Sequence, residues 1–340
     1  MNDSTELSSA EEMSPEEFDG GTAVACVILA LSFLVGAPGN LLVIWTILKH
    51  VKQRSHTVVL ILHLAVADLL VLITLPLWIY SLAHTWALGK YLCMALVYTV
   101  SVCMFSSIFF ITLMSVERYV GICRPFVMRR WKTTFMNRCL ALLWLLASLL
   151  AVLCVLLQPG SDGTEQCFAY ELTSVTQAIL LLCLQTVWGF LIPFIILSIC
   201  YFLVAAELRK RSFDSKQKSV GLVYAVVVAF ALCWLPYHII NIIDLVCSLR
   251  SGTERECVSQ SLVFSAGALV FISSSVNPVL YALFARNFQG SLEQSRLVRL
   301  FQEMVSHTNK LRDLVAQQEL DRGQQTVELM SDMKCEISLL

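Results

Sequence analysis

Charge is what this chain has least of: 14% of its residues are charged, 57% are hydrophobic, and the mean hydropathy is +0.72. An ordinary soluble domain carries about 25% charged residues, so composition excludes one. Lys and Arg are missing altogether before Lys49. The motifs that carry hydrolytic or nucleotide chemistry are also missing: no His-Glu-x-x-His, no Gly-x-Ser-x-Gly and no phosphate-binding glycine loop. No lysine lies between 258 and 284, which rules out a retinal Schiff base in the last apolar stretch. Internal repeats and paired broken helices, common in transporters, are not seen. These absences argue against an enzyme, a light-driven pump and a transporter. No cofactor and no nucleic-acid partner is expected.

Apolar runs are what the chain has in abundance. About 20 apolar residues are needed to cross a bilayer as a helix, and seven runs reach that length, near 22–48, 57–83, 92–123, 138–158, 175–206, 219–249 and 258–284 (spans I to VII). The expected fold class is an all-α membrane protein, a seven-transmembrane helix bundle. Basic residues near span ends are retained on the cytoplasmic side. Lys49, Lys52 and Arg54 follow span I; Arg124, Arg129, Arg130 and Lys132 follow span III; Arg209, Lys210, Arg211, Lys216 and Lys218 separate spans V and VI. Only Lys90, Arg250 and Arg255 fall in the opposite loops.

This charge asymmetry places residues 1–21, acidic through Asp3, Glu6, Glu11, Glu12, Glu16, Glu17 and Asp19, outside a plasma membrane, with the bundle over 22–284. No basic segment precedes span I, which is expected to act as its own signal anchor. Asn2-Asp3-Ser4 is an outer-side glycosylation sequon. Arg286-Asn287-Phe288 opens an amphipathic segment over 285–302, with Leu292, Leu297, Leu300 and Phe301 on one face. It is expected to lie on lipids of the inner leaflet as a short eighth helix. In the cytoplasmic tail, 303–340, Ser306, Thr308, Thr326, Ser331 and Ser338 are candidate phosphorylation sites for arrestin recruitment, and Cys335 is a candidate for palmitoylation.

Most of the 13 cysteines sit inside spans, where a thiol is a small apolar residue. Cys93, at the outer end of span III, and Cys167, between spans IV and V, face an oxidising compartment and could pair. Cys247 and Cys257 flank the last outer loop as a second possible pair.

A charge at mid-bilayer costs about 2.5–3.5 kcal/mol, so each one retained is a functional candidate. Asp68 has no Lys or Arg at its depth and needs a proton or a small cation such as sodium. Ser107, Ser273 and Asn277 are the candidate oxygen ligands; the other reading is a protonated acid bonded to Asn40. Glu117-Arg118-Tyr119 closes span III at the inner surface. An adjacent surface ion pair is worth little, but its place leaves Arg118 available to a cytoplasmic partner once Glu117 lets go. Trp234-Leu235-Pro236-Tyr237-His238 interrupts span VI, where a proline kink makes a pivot and Trp234 would floor an outward-facing cavity. Asn277-Pro278-Val279-Leu280-Tyr281 places an amide, a helix break and a phenol at the inner end of span VII, as in a part that moves. Pro193 with Tyr201 in span V and Trp144 in span IV continue the pattern. The outer-half candidates for ligand binding are Trp78, Tyr98, Ser101, Met104, Gln185, Trp188, Tyr237, His238, Asn241 and Asp244. This aromatic and apolar set with a few donors suits a hydroxylated lipid or another small amphipathic ligand. His238 and Asn241, three apart, share one helix face.

One special residue per span is the pattern of rhodopsin-like (class A) G-protein-coupled receptors, which the chain resembles along residues 22–300. The matching residues are Gly39-Asn40, Leu64 to Asp68, Cys93, Glu117-Arg118-Tyr119, Trp144, Pro193, Tyr201, Cys233-Trp234-Leu235-Pro236 and Asn277-Pro278 to Tyr281. The resemblance implies a Cys93–Cys167 disulfide and a cation at Asp68 that favours the resting packing. It also implies an outward swing of span VI that exposes Arg118, Tyr201 and Tyr281 to a heterotrimeric G protein.

Val35 to Asn40, Cys123 to Phe126, Trp234 to His238 with Asn241, and Phe271 to Tyr281 resemble leukotriene B4 receptors of the chemoattractant group. That implies a lipid ligand and an inhibitory G protein. Val97, Gln158 and Val263 stand where those receptors place basic or ionisable side chains, and Gln185 where they carry an acid. A ligand carboxylate therefore lacks its expected partner. A peptide chemoattractant is the chief alternative, favoured by the acidic N-terminal segment. Many class A receptors hold the arginine of span III with an acid at the start of span VI. Here that region reads Ser215-Lys216-Gln217-Lys218, so Arg118 is expected to rest mainly on Glu117 and the resting state to be leaky.

Overall fold

Among the described residues, seven helical spans are long and apolar enough to cross a membrane. The computed structural model describes residues 20–50, 56–84, 86, 89–157, 167, 175–210, 216–251 and 258–285. The side chains of 208–210, 216–226 and 279–285 lie outside that description, as do Asn2, Gln158, Cys257, the amphipathic segment beyond 285 and the tail.

Span I is α1, Gly20–His50. Span II is two helices, α2 (His56–Leu72) and α3 (Leu75–Ala83). Span III is α4, Lys90–Cys123, followed by a six-residue helix α5, Pro125–Arg130, in the basic loop. Span IV is α6, Thr133–Leu157. Span V is α7 (Val175–Thr186), a π-helical turn (Val187–Leu191) and α8 (Ile192–Lys210). Spans VI and VII are α9, Lys216–Ser251, and α10, Gln260–Ala285. The central helix is α4, which packs on α2, α6 and α8, while α1 lies along α10 and α2.

Two sequence expectations are corrected by these helices. The interruptions expected at Pro236 and Pro278 do not occur, since α9 and α10 run through both prolines. The breaks fall elsewhere. Pro76 has no N–H and crowds the carbonyl of Leu72 one turn back, and span II is interrupted there at Ile73–Thr74. The Thr74 hydroxyl donates to the Val71 carbonyl at 2.7 Å and accepts from Trp78 Nε1 at 3.2 Å, so the break also sets the aim of Trp78. In span V the π turn lies just ahead of Pro193, the usual way a helix absorbs a missing i−4 bond.

Burial follows helical spacing. On α6, Met136, Leu140, Ala147, Ala151 and Cys154 are buried, while Leu142, Leu145, Leu149 and Leu156 form an exposed row suited to hydrocarbon rather than water. Trp144 Nε1 donates to His63 Nδ1 at 3.2 Å and its ring meets Phe110 edge-on at 5.3 Å, tying α6 to α2 and α4. At its glycines α1 comes close to α10. A Cβ at Gly36 would come within 2.7 Å of Leu72 Cδ1 and Ser275 Oγ and 3.0 Å of Ser275 Cα, and one at Gly39 within 3.1 Å of the Pro278 ring.

Because Ser275 Cα is backbone and cannot turn aside, Gly36→Val is expected to cost about 1–3 kcal/mol of overpacking. The measurement is the melting temperature of the purified protein beside Gly121→Ala, whose added Cβ meets nothing within 4 Å. Equal melting of the two variants would contradict the close approach.

Candidate functional site

A cavity of about 200 Å³ opens between α3, α4, the π turn, α9 and α10, toward the end of the bundle that carries the Cys93–Cys167 disulfide. Its wall is mainly apolar: Met104, Phe105, Ile108, Val263, Phe264 and Phe271 supply much of it. Trp78, Ser101, Met104, Gln185, Trp234, Tyr237 and His238 from the sequence-derived set all line it. Tyr98, Trp188 and Asn241 do not. Tyr98 sits one turn nearer the disulfide end than Ser101 and is exposed. Trp188 lies inside the π turn, whose extra residue shifts the register so that Gly189 meets the cavity and Trp188 faces outward. Asn241 spends its amide on the Tyr237 carbonyl at 2.7 Å, so the face it was expected to share with His238 is carried by His238 alone. Asp244 is likewise not among the lining residues.

The polar groups of the wall are paired across the α7–α9 contact. Tyr237 Oη donates to Gln185 Oε1 at 3.0 Å, and the Thr186 hydroxyl lies 3.1 Å from His238 Nδ1. His238 Nε2 is buried and has no protein partner among the described residues. Four rings close a cluster there: His238 and Trp234 stack at 6.2 Å, Trp234 and Phe230 at 5.9 Å, Phe230 and Phe190 at 5.9 Å, and Phe190 meets His238 again at 5.0 Å. Thr186 escaped the sequence reading because a lone hydroxyl in an apolar span carries no spacing signal.

Below the cavity, Asp68 is fully buried and accepts hydrogen bonds from Ser107 Oγ and Asn277 Nδ2, both at 2.7 Å. Ser273 does not join them, for its hydroxyl donates to the Val270 carbonyl on its own helix. The neighbouring Ser274 lies beside Asp68 instead. Asn40 also does not bond Asp68; its amide donates to the carbonyls of Gly36 and Ser274, each at 3.0 Å.

At the basic end, Glu117 is buried and both of its oxygens accept from the Thr57 hydroxyl, at 3.0 and 3.1 Å. Thr57, on α2, is a partner that sequence adjacency to Arg118 had hidden. Tyr201 is buried on α8 where it feels the charge of Arg118. Tyr119 is half-buried and packs against the main core. Tyr281 belongs to α10, with its side chain outside the described residues. Cys93 and Cys167 form the disulfide. Cys247 is also disulfide-bonded, and Cys257 lies outside the described residues.

The family model for the 7 transmembrane receptor (rhodopsin family) matches residues 39–281. Over 271 residues the chain is 35% identical to leukotriene B4 receptor 1 of Homo sapiens, covering 76% of each chain. It is 32% identical over 292 residues to leukotriene B4 receptor 1 of Rattus norvegicus, covering 84% of this chain and 83% of that one. Chemerin-like receptor 2 of Mus musculus is 30% identical over 281 residues, with 80% and 78% covered. A central cavity above a buried acid, an Asn-Pro element in the last span and a disulfide on the third are thus set in a sequence that matches the family model across the bundle. The chain belongs to the rhodopsin (class A) family of G-protein-coupled receptors, in its chemoattractant group, as a multi-pass membrane receptor rather than an enzyme.

Proposed function

We propose that the chain is a plasma-membrane receptor for an extracellular hydroxylated fatty acid of the leukotriene B4 kind, with its N-terminus outside, signalling through inhibitory G proteins and later bound by arrestin. The observation that carries the ligand class is the cavity itself. At about 200 Å³ it falls below the roughly 300–1,000 Å³ of pockets for drug-sized ligands. A slender, unbranched chain fits such a space, while a peptide could seat no more than a terminal residue. Among the described residues the wall carries a few uncharged polar groups and no Lys or Arg. A carboxylate therefore stays toward the open end, and the apolar chain with its hydroxyls goes in.

Ligand contact with Trp234 and His238 is passed through the aromatic cluster to Phe230 and on to Phe194, at the face between α8 and α9. The ligand's better fit to one helix packing than to another is what shifts the equilibrium. At the basic end, release of Glu117 from Thr57 frees Arg118 for the G protein, beside Tyr119, Tyr201 and Tyr281. Sodium fits the buried acid. Asp68, Ser107 and Asn277 offer hard oxygen ligands, and the Ser274 hydroxyl, buried without a hydrogen-bond partner among the described residues, offers another. A cation there would supply the charge balance that Asp68 otherwise lacks and favour the resting packing.

Cells expressing the chain are expected to suppress cAMP in response to leukotriene B4 or related hydroxylated fatty acids, and to lose the response to toxin that blocks inhibitory G proteins. A response to chemotactic peptides alone would replace the lipid reading with the peptide one. Thr57→Ala removes the bond to Glu117 and Glu117→Gln removes the charge that strengthens it, a loss of about 1.5 kcal/mol, enough to move the resting equilibrium roughly tenfold. Ligand-free signalling at equal surface expression should rise in both, and a flat baseline in both would sink the latch. Asp68→Asn and Asn277→Ala should retain ligand binding while losing G-protein activation and the effect of sodium on affinity. Full activation with an intact sodium effect would remove the network from the mechanism.

A further inference from the structure

The deep wall of the cavity has a polarity, and one residue outside the sequence-derived set decides it. We propose that Thr186 fixes His238 as the tautomer protonated on Nε2, so that the ligand must bring an uncharged acceptor oxygen (a hydroxyl, ketone or ether oxygen) to that nitrogen. This rests on the reading of the cavity as the ligand site.

The argument starts from where hydroxyl protons go in a helix. Thr99, Thr112 and Ser148 each donate to the carbonyl one turn back, at 2.7, 2.8 and 2.9 Å. Thr186 makes no such bond among the described residues; its one contact is with His238 Nδ1, at 3.1 Å. The imidazole cannot turn away, since it is 2% exposed and is packed by Phe190 at 5.0 Å, Tyr237 at 5.2 Å and Trp234 at 6.2 Å. Two tautomers are then to be compared. If Nδ1 accepts from Thr186, one buried group is left without a partner, the Nε2–H. If Nδ1–H donates to Thr186, two are left, the threonine proton and the Nε2 lone pair. Each unmade buried group carries a desolvation penalty, so the first arrangement wins and Nε2 is a donor.

Gln185 has the same polarity. Its Oε1 is taken by Tyr237 Oη, which leaves the amide N–H groups for the cavity it lines. Two donors with no Lys, Arg, Asp or Glu among the described lining residues select an acceptor oxygen and disfavour a buried carboxylate, which would lack a counter-charge. Thr186 is a positioning residue: it acts on the ligand only through the ring of His238.

The test reads the tautomer directly. Receptor labelled with ¹⁵N-histidine is studied by NMR in nanodiscs, with the His238 signal assigned by its loss in His238→Gln. The expected pattern is a bare Nδ1 and a protonated Nε2 without ligand, mixed tautomers in Thr186→Val, and recovery in Thr186→Ser. A wild-type ring protonated on Nδ1 overturns the proposal, whatever the variants do. The second arm uses leukotriene B4, its ketone analogues and its deoxy analogues as probes. Replacing the inserted hydroxyl by a ketone should keep potency, removing the oxygen should cost about tenfold, and Thr186→Val should weaken the ketone more than the alcohol, which can also donate. Equal potency of ketone and deoxy compounds overturns the acceptor requirement. If no leukotriene compound binds, the ligand class proposed above falls, while the NMR pattern still decides the tautomer.

Discussion

A carboxylate inside the hydrocarbon layer has to be held by donors the protein itself supplies, and Asp68 takes them from two other spans. Ser107 comes from α4 and Asn277 from α10, so one side chain on α2 fixes the relation of three helices. Asn40 does for α1 what Asp68 does for α2, with its amide reaching across to the Ser274 carbonyl on α10. Bonds of this kind are directional and costly to leave unmade in lipid. They make α1, α2, α4 and α10 one tied half of the bundle. The α8–α9 contact has another character: Phe190, Phe194, Phe230 and Trp234 meet there by stacking. Stacked rings tolerate sliding in a way a buried carboxylate does not, so α9 can shift at its Phe230 level while the Tyr237–Gln185 and His238–Thr186 bonds hold the part beside the cavity.

Proline shows why sequence position alone does not tell where a helix breaks. Pro38, Pro236 and Pro278 all sit inside continuous helices, whereas Pro76 interrupts span II and Pro193 follows a π turn. The residue removes the same donor each time. What differs is the backbone around each one: ahead of Pro76 the chain turns at Ile73–Thr74, where the Thr74 hydroxyl takes the Val71 carbonyl, and ahead of Pro193 one extra residue is folded into the turn. The consequence reaches the cavity, because these two irregular turns bring Trp78 and Gly189 to the wall and send Trp188 outward.

Seven spans and the depth of Asp68 were legible from residue order, since a bilayer imposes a length and a charge penalty that a single sequence records directly. The motif residues on each span were legible as well, through the family they resemble. Side-chain partners were not. Ser273 and Ser274 are equivalent to a sequence reading, yet a 100° step around α10 sends one back to its own helix and leaves the other beside Asp68. Glu117 reads as the partner of Arg118, its neighbour, and residue order gives no sign that its carboxylate also accepts from Thr57 sixty residues away.

The sequence by itself determined that this is a seven-span receptor of the class A family, because hydropathy, basic-loop asymmetry and one unusual residue per span are properties of order and composition. Tertiary structure decided which of those residues face one another: Tyr237 with Gln185, His238 with Thr186, Asp68 with Asn277. The reason is physical. Crossing a membrane is a property of one helix at a time, while satisfying a polar atom in a dry interior depends on how several helices are rotated and packed, and no local stretch of chain specifies that.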